Sequence, residues 1–307
     1  MKRRIKDFLK NQLVNGFHIG QSLGVDILPR HFYSEIPAIK KLRGSDHWRK
    51  PYSMIGVQGW NADEQLEFVR ATMNEETRRE LAGRDIYTEA CQANDHVGYG
   101  PVEAQFLYGF VRQHRPQRII QVGSGVSTAV CIEAAKAANY QPQITCVDPY
   151  PTDFLTESER QKKITLIREP VELLDLEFLK PLAAGDLFFV DSTHTLGPAG
   201  EVTRIVTEML PRLSPGVFVH FHDIYFPYDF IPTIWDTLFF WHETALLLAY
   251  LTNNPRITVS AALMRLHCER LSDLQPLFPR YQPMQLDRGV RVVDGDVPSS
   301  IYLRIVS

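Results

Sequence analysis

The chain has 307 residues, 44% hydrophobic and 22% charged, with 18 Gly and 20 Pro. Those values exclude collagen-like, low-complexity and wholly disordered chains. Lys and Arg number 33 against 36 Asp and Glu, a net charge of -3. With no basic excess, a nucleic-acid partner is not expected. The length suits one full domain plus an appendage.

The chain opens with Lys2, Arg3, Arg4, Lys6 and Lys10, but Asp7, Asn11, Gln12 and Asn15 break any apolar stretch, so no signal peptide is read. The first hundred residues look irregular, punctuated by Pro29, Pro37, Pro51, Gly56 and Gly59. One helix stands out there. Asn61 can cap it, Glu64 follows three residues later, and Leu66, Val69 and Met73 recur at helical spacing. The basic cluster Lys40, Lys41, Arg43, Arg49 and Lys50 is read as a solvated face.

From about residue 100 the pattern becomes regular. Gly100-Pro101 starts a helix with Val102, Phe106, Leu107, Phe110 and Val111 on one stripe. Strands are expected at 119–122, 144–147, 164–167, 187–190 and 217–221, with helical patterns between most of them. A long helix at 233–251 and strands at 257–264 and 301–306 complete seven strand candidates. Strands alternating with helices imply a mostly parallel sheet covered on both faces, and the last two strands suit an antiparallel pair. The apolar stretch 234–251 holds Asp236, His242 and Glu243, so it is read as a buried helix and no membrane span is expected. Cys91, Cys131, Cys146 and Cys268 form no CxxC pair and are read as reduced core thiols of a cytoplasmic protein.

Ligands of an open α/β sheet sit beyond the carboxyl ends of its strands. Strand one is followed there by Gly123-Ser124-Gly125-Val126-Ser127-Thr128, and strand two by Asp148-Pro149. The two glycines allow a tight turn into a helix, although Thr128 stands where GxGxxG needs a third glycine. Asp148 lies 25 residues after Gly123 and can accept both hydroxyls of a ribose. Together these favour a nucleoside site. Strand four is followed by Asp191-Ser192-Thr193-His194, and strand five ends in His220-Phe221-His222-Asp223. Asp191, His222 and Asp223 make a candidate site for one divalent cation: Mn, Fe, Co or Zn from the mixed donors, Mg from the aspartates and water. His194 is read first as a general base. His220 is read as a hydrogen-bonded core histidine.

The phrases IIQVGSGVST, CVDPYP, DLFFVDSTHT, LSPGVFVHFHDIYFPYDF and WHETALLLAYL resemble class I S-adenosylmethionine-dependent methyltransferases. The likeness is to a bacterial subgroup with GSG-ST, DPYP and HFHDI phrases, distantly similar to catechol-type O-methyltransferases. It covers about residues 100–307, and ILPRHFYSEIP extends it toward the start. The resemblance implies a Rossmann-like seven-stranded sheet with an antiparallel final strand. It implies that Gly123, Ser124 and Gly125, with Ser127, lie against S-adenosylmethionine, that Asp148 binds its ribose, and that Val171 and Glu172 approach its adenine. It also matches Asp191 and His222-Asp223 to the family's metal ligands and His194 to its base. Three residues depart from the pattern: Gln121 replaces the acid that usually ends strand one, His222 replaces an acidic ligand, and His194 replaces a lysine.

The expected reaction is O-methylation of a small-molecule or sugar hydroxyl, assisted by a metal at Asp191, His222 and Asp223 with His194 taking the proton. Two rivals stand beside it: a metal-dependent hydrolase using His220 to Asp223, and a non-catalytic nucleotide-binding module. Residues 1–99 are expected to form a mainly helical or irregular cap that selects the acceptor, and 100–307 the cofactor-binding domain. Aromatic residues between Tyr225 and Trp241 either line the acceptor pocket or pack. A homo-oligomer is left open.

Overall fold

The computed structural model describes residues 2–28, 34, 36–45, 47–229, 240–284 and 295–307, the first ten of these as backbone alone. Two compact units divide the chain, residues 1–45 and 46–307. The first holds helices α1 (Lys2–Ser22) and α2 (Ile39–Arg43). Lys40, Lys41 and Arg43 are exposed on α2.

The second unit is built on one sheet. Among the described residues seven strands run in the order β3-β2-β1-β4-β5-β7-β6. They are β1 (Arg118–Val122), β2 (Gln143–Val147), β3 (Thr165–Ile167), β4 (Leu187–Val190), β5 (Phe218–Phe221), β6 (Ile257–Ala262) and β7 (Ile301–Ile305). The first five are parallel, and β7 runs antiparallel to both β5 and β6. The expected Rossmann-like sheet with an antiparallel final strand is the fold observed. The strand order reverses between β1 and β4, which puts the ligand crevice beyond their carboxyl ends.

Successive strand residues bury on opposite faces, as the two-residue repeat requires. Ile119, Leu187, Phe189 and Phe218 join one core, and Ile120, Val122, Phe188, Val190, Val219 and Phe221 the other. This double burial explains why the strands read as short, unbroken apolar runs rather than alternating ones. On the first face lie α6 (Pro101–His114) and α7 (Val126–Ala137), packed on one another; α8 (Asp153–Arg160) and α9 (Glu201–Arg204) follow β2 and β4 in the chain. Pro101 at the first position of α6 fits the helix start, and every residue from Val102 to Val111 is buried.

The region before residue 100 is more regular than its prolines and glycines suggest. It contains α3 (Ala62–Thr72), α4 (Glu75–Ala82) and α5 (Ile86–Asn94). Asn61 caps α3, its Oδ1 accepting from the N–H groups of Asp63 and Glu64. Leu66, Val69, Met73, Leu81, Ile86 and Ala90 bury in the same core as Phe106 and Phe110. The compact unit that holds the sheet runs over 46–307, and these helices share its core.

Two expected elements differ. The helix placed at 233–251 is α10 (Glu243–Leu251), Phe240 to His242 are not helical, and 230–239 lie outside the described residues. Strand β6 stops at Ala262, where α11 (Leu263–Glu269) begins. A second short helix, α12 (Leu271–Leu274), follows before β7. Among the described residues no helix is long and apolar enough to cross a membrane. Cys131 and Cys146 are buried thiols as expected, but Cys91 is only half-buried and Cys268 is exposed.

Candidate functional site

The turn after β1 is made by sterics. Gly123 has φ +76°, and a Cβ there would come within 1.9 Å of the Asp191 carbonyl oxygen. Only glycine allows β1 and β4 to run out side by side at this point. Gly125 has φ +142°, and a Cβ would crowd the side-chain amide of Asn94 on α5. Helix α7 begins at once, with the Gly125 N–H donating to Thr128 Oγ1 at 3.2 Å. The first N–H groups of a helix have no intrahelical partner, which suits a helix start to an anionic or polar ligand.

Beside the turn, Ser124 Oγ donates to Asp148 Oδ2 at 3.2 Å, and the Tyr150 N–H donates to Asp148 Oδ1 at 2.9 Å. Asp148 is half-buried at the end of β2, and Tyr150 is 88% exposed. Val171 is buried and Glu172 half-buried in the short turn after β3. Gln121 is fully buried. Its Nε2 donates to Ser127 Oγ at 3.1 Å, and its Oε1 accepts from Thr128 Oγ1 at 2.7 Å. Gln121 and Ser127 thus fasten the start of α7 to β1 by neutral hydrogen bonds.

Four charged groups meet at the ends of β4 and β5. Asp191 Oδ1 lies 3.5 Å from His194 Nε2 and 3.3 Å from His222 Nδ1. Asp223 Oδ2 lies 3.6 Å from His194 Nε2 and 3.5 Å from His222 Nδ1. Imidazoles and carboxylates alternate around a ring. His194 and Asp223 both have left-handed backbones, with φ +59° and +55°. Non-glycine residues in that region cluster at functional sites.

The ring sets its own protonation. Burial alone would drive His194 to its neutral form, but hydrogen bonds to Asp191 and Glu243 overcome it and push the pKa up to about 10. His222 is likewise opposed by burial, yet Asp223 and Asp191 raise it to about 9. Burial would raise the Asp191 carboxyl, but the charge of His222 and the hydrogen bonds from both histidines hold it far below the ordinary carboxylate range. Three carboxylates lie within 4 Å of His194 and two within 4 Å of His222, and one opposite charge at 4 Å is worth about 4 kcal/mol at an effective dielectric of 20.

The structure thus brings together Asp191, His194, His222 and Asp223. Their arrangement does not support the expected divalent cation. The imidazole nitrogens that would coordinate it lie 3.3 to 3.6 Å from the carboxylate oxygens and face them directly. Among the described residues no group of three or more His, Cys, Asp or Glu side chains could hold a metal ion. His220 is the core histidine expected from sequence. It is fully buried, stacked on Phe189 at 4.2 Å, with Nε2 beside Ser300 Oγ (2.9 Å) and Tyr99 OH (3.2 Å). Burial and the charge of His222 lower its pKa well below the usual value.

Several neighbours were not singled out from sequence. Tyr99 lies 4.8 Å, ring to ring, from His222. Tyr225 OH and Ser299 Oγ both donate to Asp223 Oδ1, at 2.7 and 3.0 Å. Glu103 on α6 is buried, accepts from the Ser299 N–H at 2.5 Å, and has its pKa raised by burial. Of the aromatic residues from 225 to 241, Tyr225 and Phe226 are buried, Trp241 sits 4.5 Å from the His194 ring, and Phe230, Trp235 and Phe239 lie outside the described residues.

Residues 120–224 match the family model of a methyltransferase domain. The matched stretch runs from β1 past β5 and contains both the glycine turn and the charged ring. Over that stretch the chain is similar to methyltransferase domains. The chain is also similar to an uncharacterized protein of Archaeoglobus fulgidus, 26% identical over 214 residues, spanning 67% of this chain and 93% of that one. Among solved structures it is similar to the O-methyltransferase TomG from Streptomyces achromogenes. That likeness has 12% identity, 73% and 91% coverage and a TM-score of 0.42. It is similar as well to an O-methyltransferase from Bacillus cereus, at 12% identity, 76% and 92% coverage and a TM-score of 0.40.

Proposed function

We propose that the protein transfers a methyl group from S-adenosylmethionine to a hydroxyl oxygen of a small-molecule or sugar acceptor. One observation carries this reading: the glycine turn and the charged ring touch. Gly123 abuts the backbone of Asp191, and Asp191 pairs with His194. A donor held against the turn has its reactive end beside an acid–base group.

The residues fit the donor. The α7 N-terminus and glycine turn leave room for close backbone approach, and Asp148 offers a carboxylate to ribose hydroxyls. Ser124 keeps that carboxylate in place, and Ser127 braces the helix start through Gln121. Val171 and Glu172 take the adenine side. When bound, S-adenosylmethionine supplies an electrophilic methyl group on a positively charged sulfur.

The chain's own groups prepare the acceptor. His194 rests as an imidazolium, so it stabilises an acceptor oxyanion directly. An imidazolium beside an oxyanion carries the same proton count as a neutral imidazole beside a hydroxyl. The hydrogen bonds to Asp191 and Glu243 favour the charged imidazole, the form that steadies an oxyanion. The resting imidazolium first sheds one proton to solvent past Asp191, the most exposed ring member at 29%, and Nε2 then takes the hydroxyl proton as the oxygen takes the methyl group. Asp191 and Asp223 hold the imidazolium, and Asp191 stays ionised. No step needs a metal-bound oxygen.

Asn94 beside Gly125 and Tyr99 beside His222 put part of the region before residue 100 at the site. We assign acceptor selection to it. The hydrolase reading loses its metal donors to the ring, and His220 to the core. Free thiols suit the reducing cytoplasm expected from sequence. The test is methyl transfer from labelled S-adenosylmethionine to a panel of phenols and methyl glycosides, by the wild type and His194→Ala. Transfer that needs His194 supports the reading. Cofactor binding with no transfer to any hydroxyl in the panel favours the binding-module rival.

A further inference from the structure

We infer that Glu243 is a positioning residue: it holds the His194 ring in the one orientation that turns Nε2 toward the reacting oxygen. The inference rests on the role given to His194 above. Glu243 lies 49 residues from His194 in the chain and opens α10. Its Oε2 lies 2.7 Å from His194 Nδ1, and both side chains are buried. Its Oε1 accepts from Ser192 Oγ at 3.1 Å, and the His194 N–H donates to that same hydroxyl at 3.2 Å. The N–H groups of His242 and Glu243 donate to the His194 carbonyl oxygen at 3.1 and 3.3 Å. The start of α10 therefore grips His194 at its backbone and at one ring nitrogen.

The consequence is chemical. An imidazole whose Nδ1 donates to a buried carboxylate can exchange a proton only at Nε2. Nε2 is the nitrogen that faces Asp191 and Asp223. Rotation of the ring would break the short Nδ1 bond and leave Glu243 as a buried, unpaired acid, which is strongly unfavourable. The Trp241 ring, 4.5 Å away, closes one side of the imidazole. The side-chain partners of Glu243 are His194 and Ser192, and Ser192 Oγ itself accepts from the His194 N–H, so both contacts bear on His194.

Two measurements test this. The first is kinetic, on the acceptor found in the hydroxyl panel. Glu243→Gln keeps the volume and can still accept from Nδ1, so kcat should fall about tenfold. Glu243→Ala should lower it about 10²-fold. The dissociation constant for S-adenosylmethionine, by calorimetry, should stay as in the wild type. In a His194→Ala background Glu243→Gln should cost nothing further. The second is NMR of the imidazole nitrogens in the wild type, with His194 assigned by its loss in His194→Ala. Nδ1 should carry a slowly exchanging proton at neutral pH. A Glu243→Gln enzyme with wild-type kcat, an equal effect with and without His194, or an Nδ1 without its proton would each overturn the inference. Wild-type turnover by His194→Ala would instead overturn the role of His194 itself.

Discussion

Between Gly123 and Asp148 the site is made by two neighbouring strand ends and one helix start, held by hydrogen bonds of serine, threonine and glutamine. Between Asp191 and Glu243 it is made by four ionisable groups of a ring and a fifth behind it, carried on β4, β5 and α10. The first region is local in sequence and nearly neutral. The second is dispersed and charged. Binding of a common donor needs only a shaped turn and one carboxylate. Moving a proton needs groups that bias each other's charge, and such groups must be gathered from separate strands.

Breaking the junction of the two regions should have the largest effect. Gly123→Ala would press a methyl group onto the Asp191 carbonyl and impose a left-handed backbone on alanine, with roughly 1–3 kcal/mol of backbone strain before the clash is counted. A lower thermal midpoint together with loss of S-adenosylmethionine binding is the expected result. His194→Ala should separate the two regions. Methyl transfer should fall by about 10²–10⁴-fold while the cofactor dissociation constant holds. Asp148→Ala should do the reverse, weakening cofactor binding by about 10- to 100-fold, as loss of hydrogen bonds to a charged group implies. If both variants lose binding equally by calorimetry, the division into two regions is wrong.

The smallest effect is on stability against pH. His194 and His222 are raised from an ordinary value near 6.5 to about 10 and about 9. A raised pKa stabilises the fold fully below the unfolded value, and that stabilisation is lost as pH rises through the folded one. Denaturant midpoints should therefore decline between about pH 7 and pH 10, and His194→Ala should flatten the decline. An unchanged slope in the variant would mean that the ring is not charged as described.

The same contrast explains what could be read from the chain. The strands, the turn at Gly123 and the acid at Asp148 were legible because each is a local pattern: a short apolar run, a glycine pair, a polar residue at a strand end. Asp191, His194, His222 and Asp223 were legible as strand-end residues, but not their mutual pairing, which turns the expected metal donors into charged partners. Glu243 was visible only as an acid interrupting an apolar stretch. A carboxylate heading an apolar helix was the available signal, yet its partner lies 49 residues away. Glu103 and Ser299 meet across 196 residues, beyond any periodicity. The helices before residue 100 were hidden by the prolines and glycines between them, although Asn61 announced one.

The central claim is that the crevice beside Gly123 and Asp148 holds S-adenosylmethionine. Titration calorimetry of the intact chain with S-adenosylmethionine, repeated on Asp148→Ala, tests it most directly. The account predicts saturable one-site binding by the wild type, clearly weakened in the variant. An intact, folded chain that takes up no S-adenosylmethionine would contradict it.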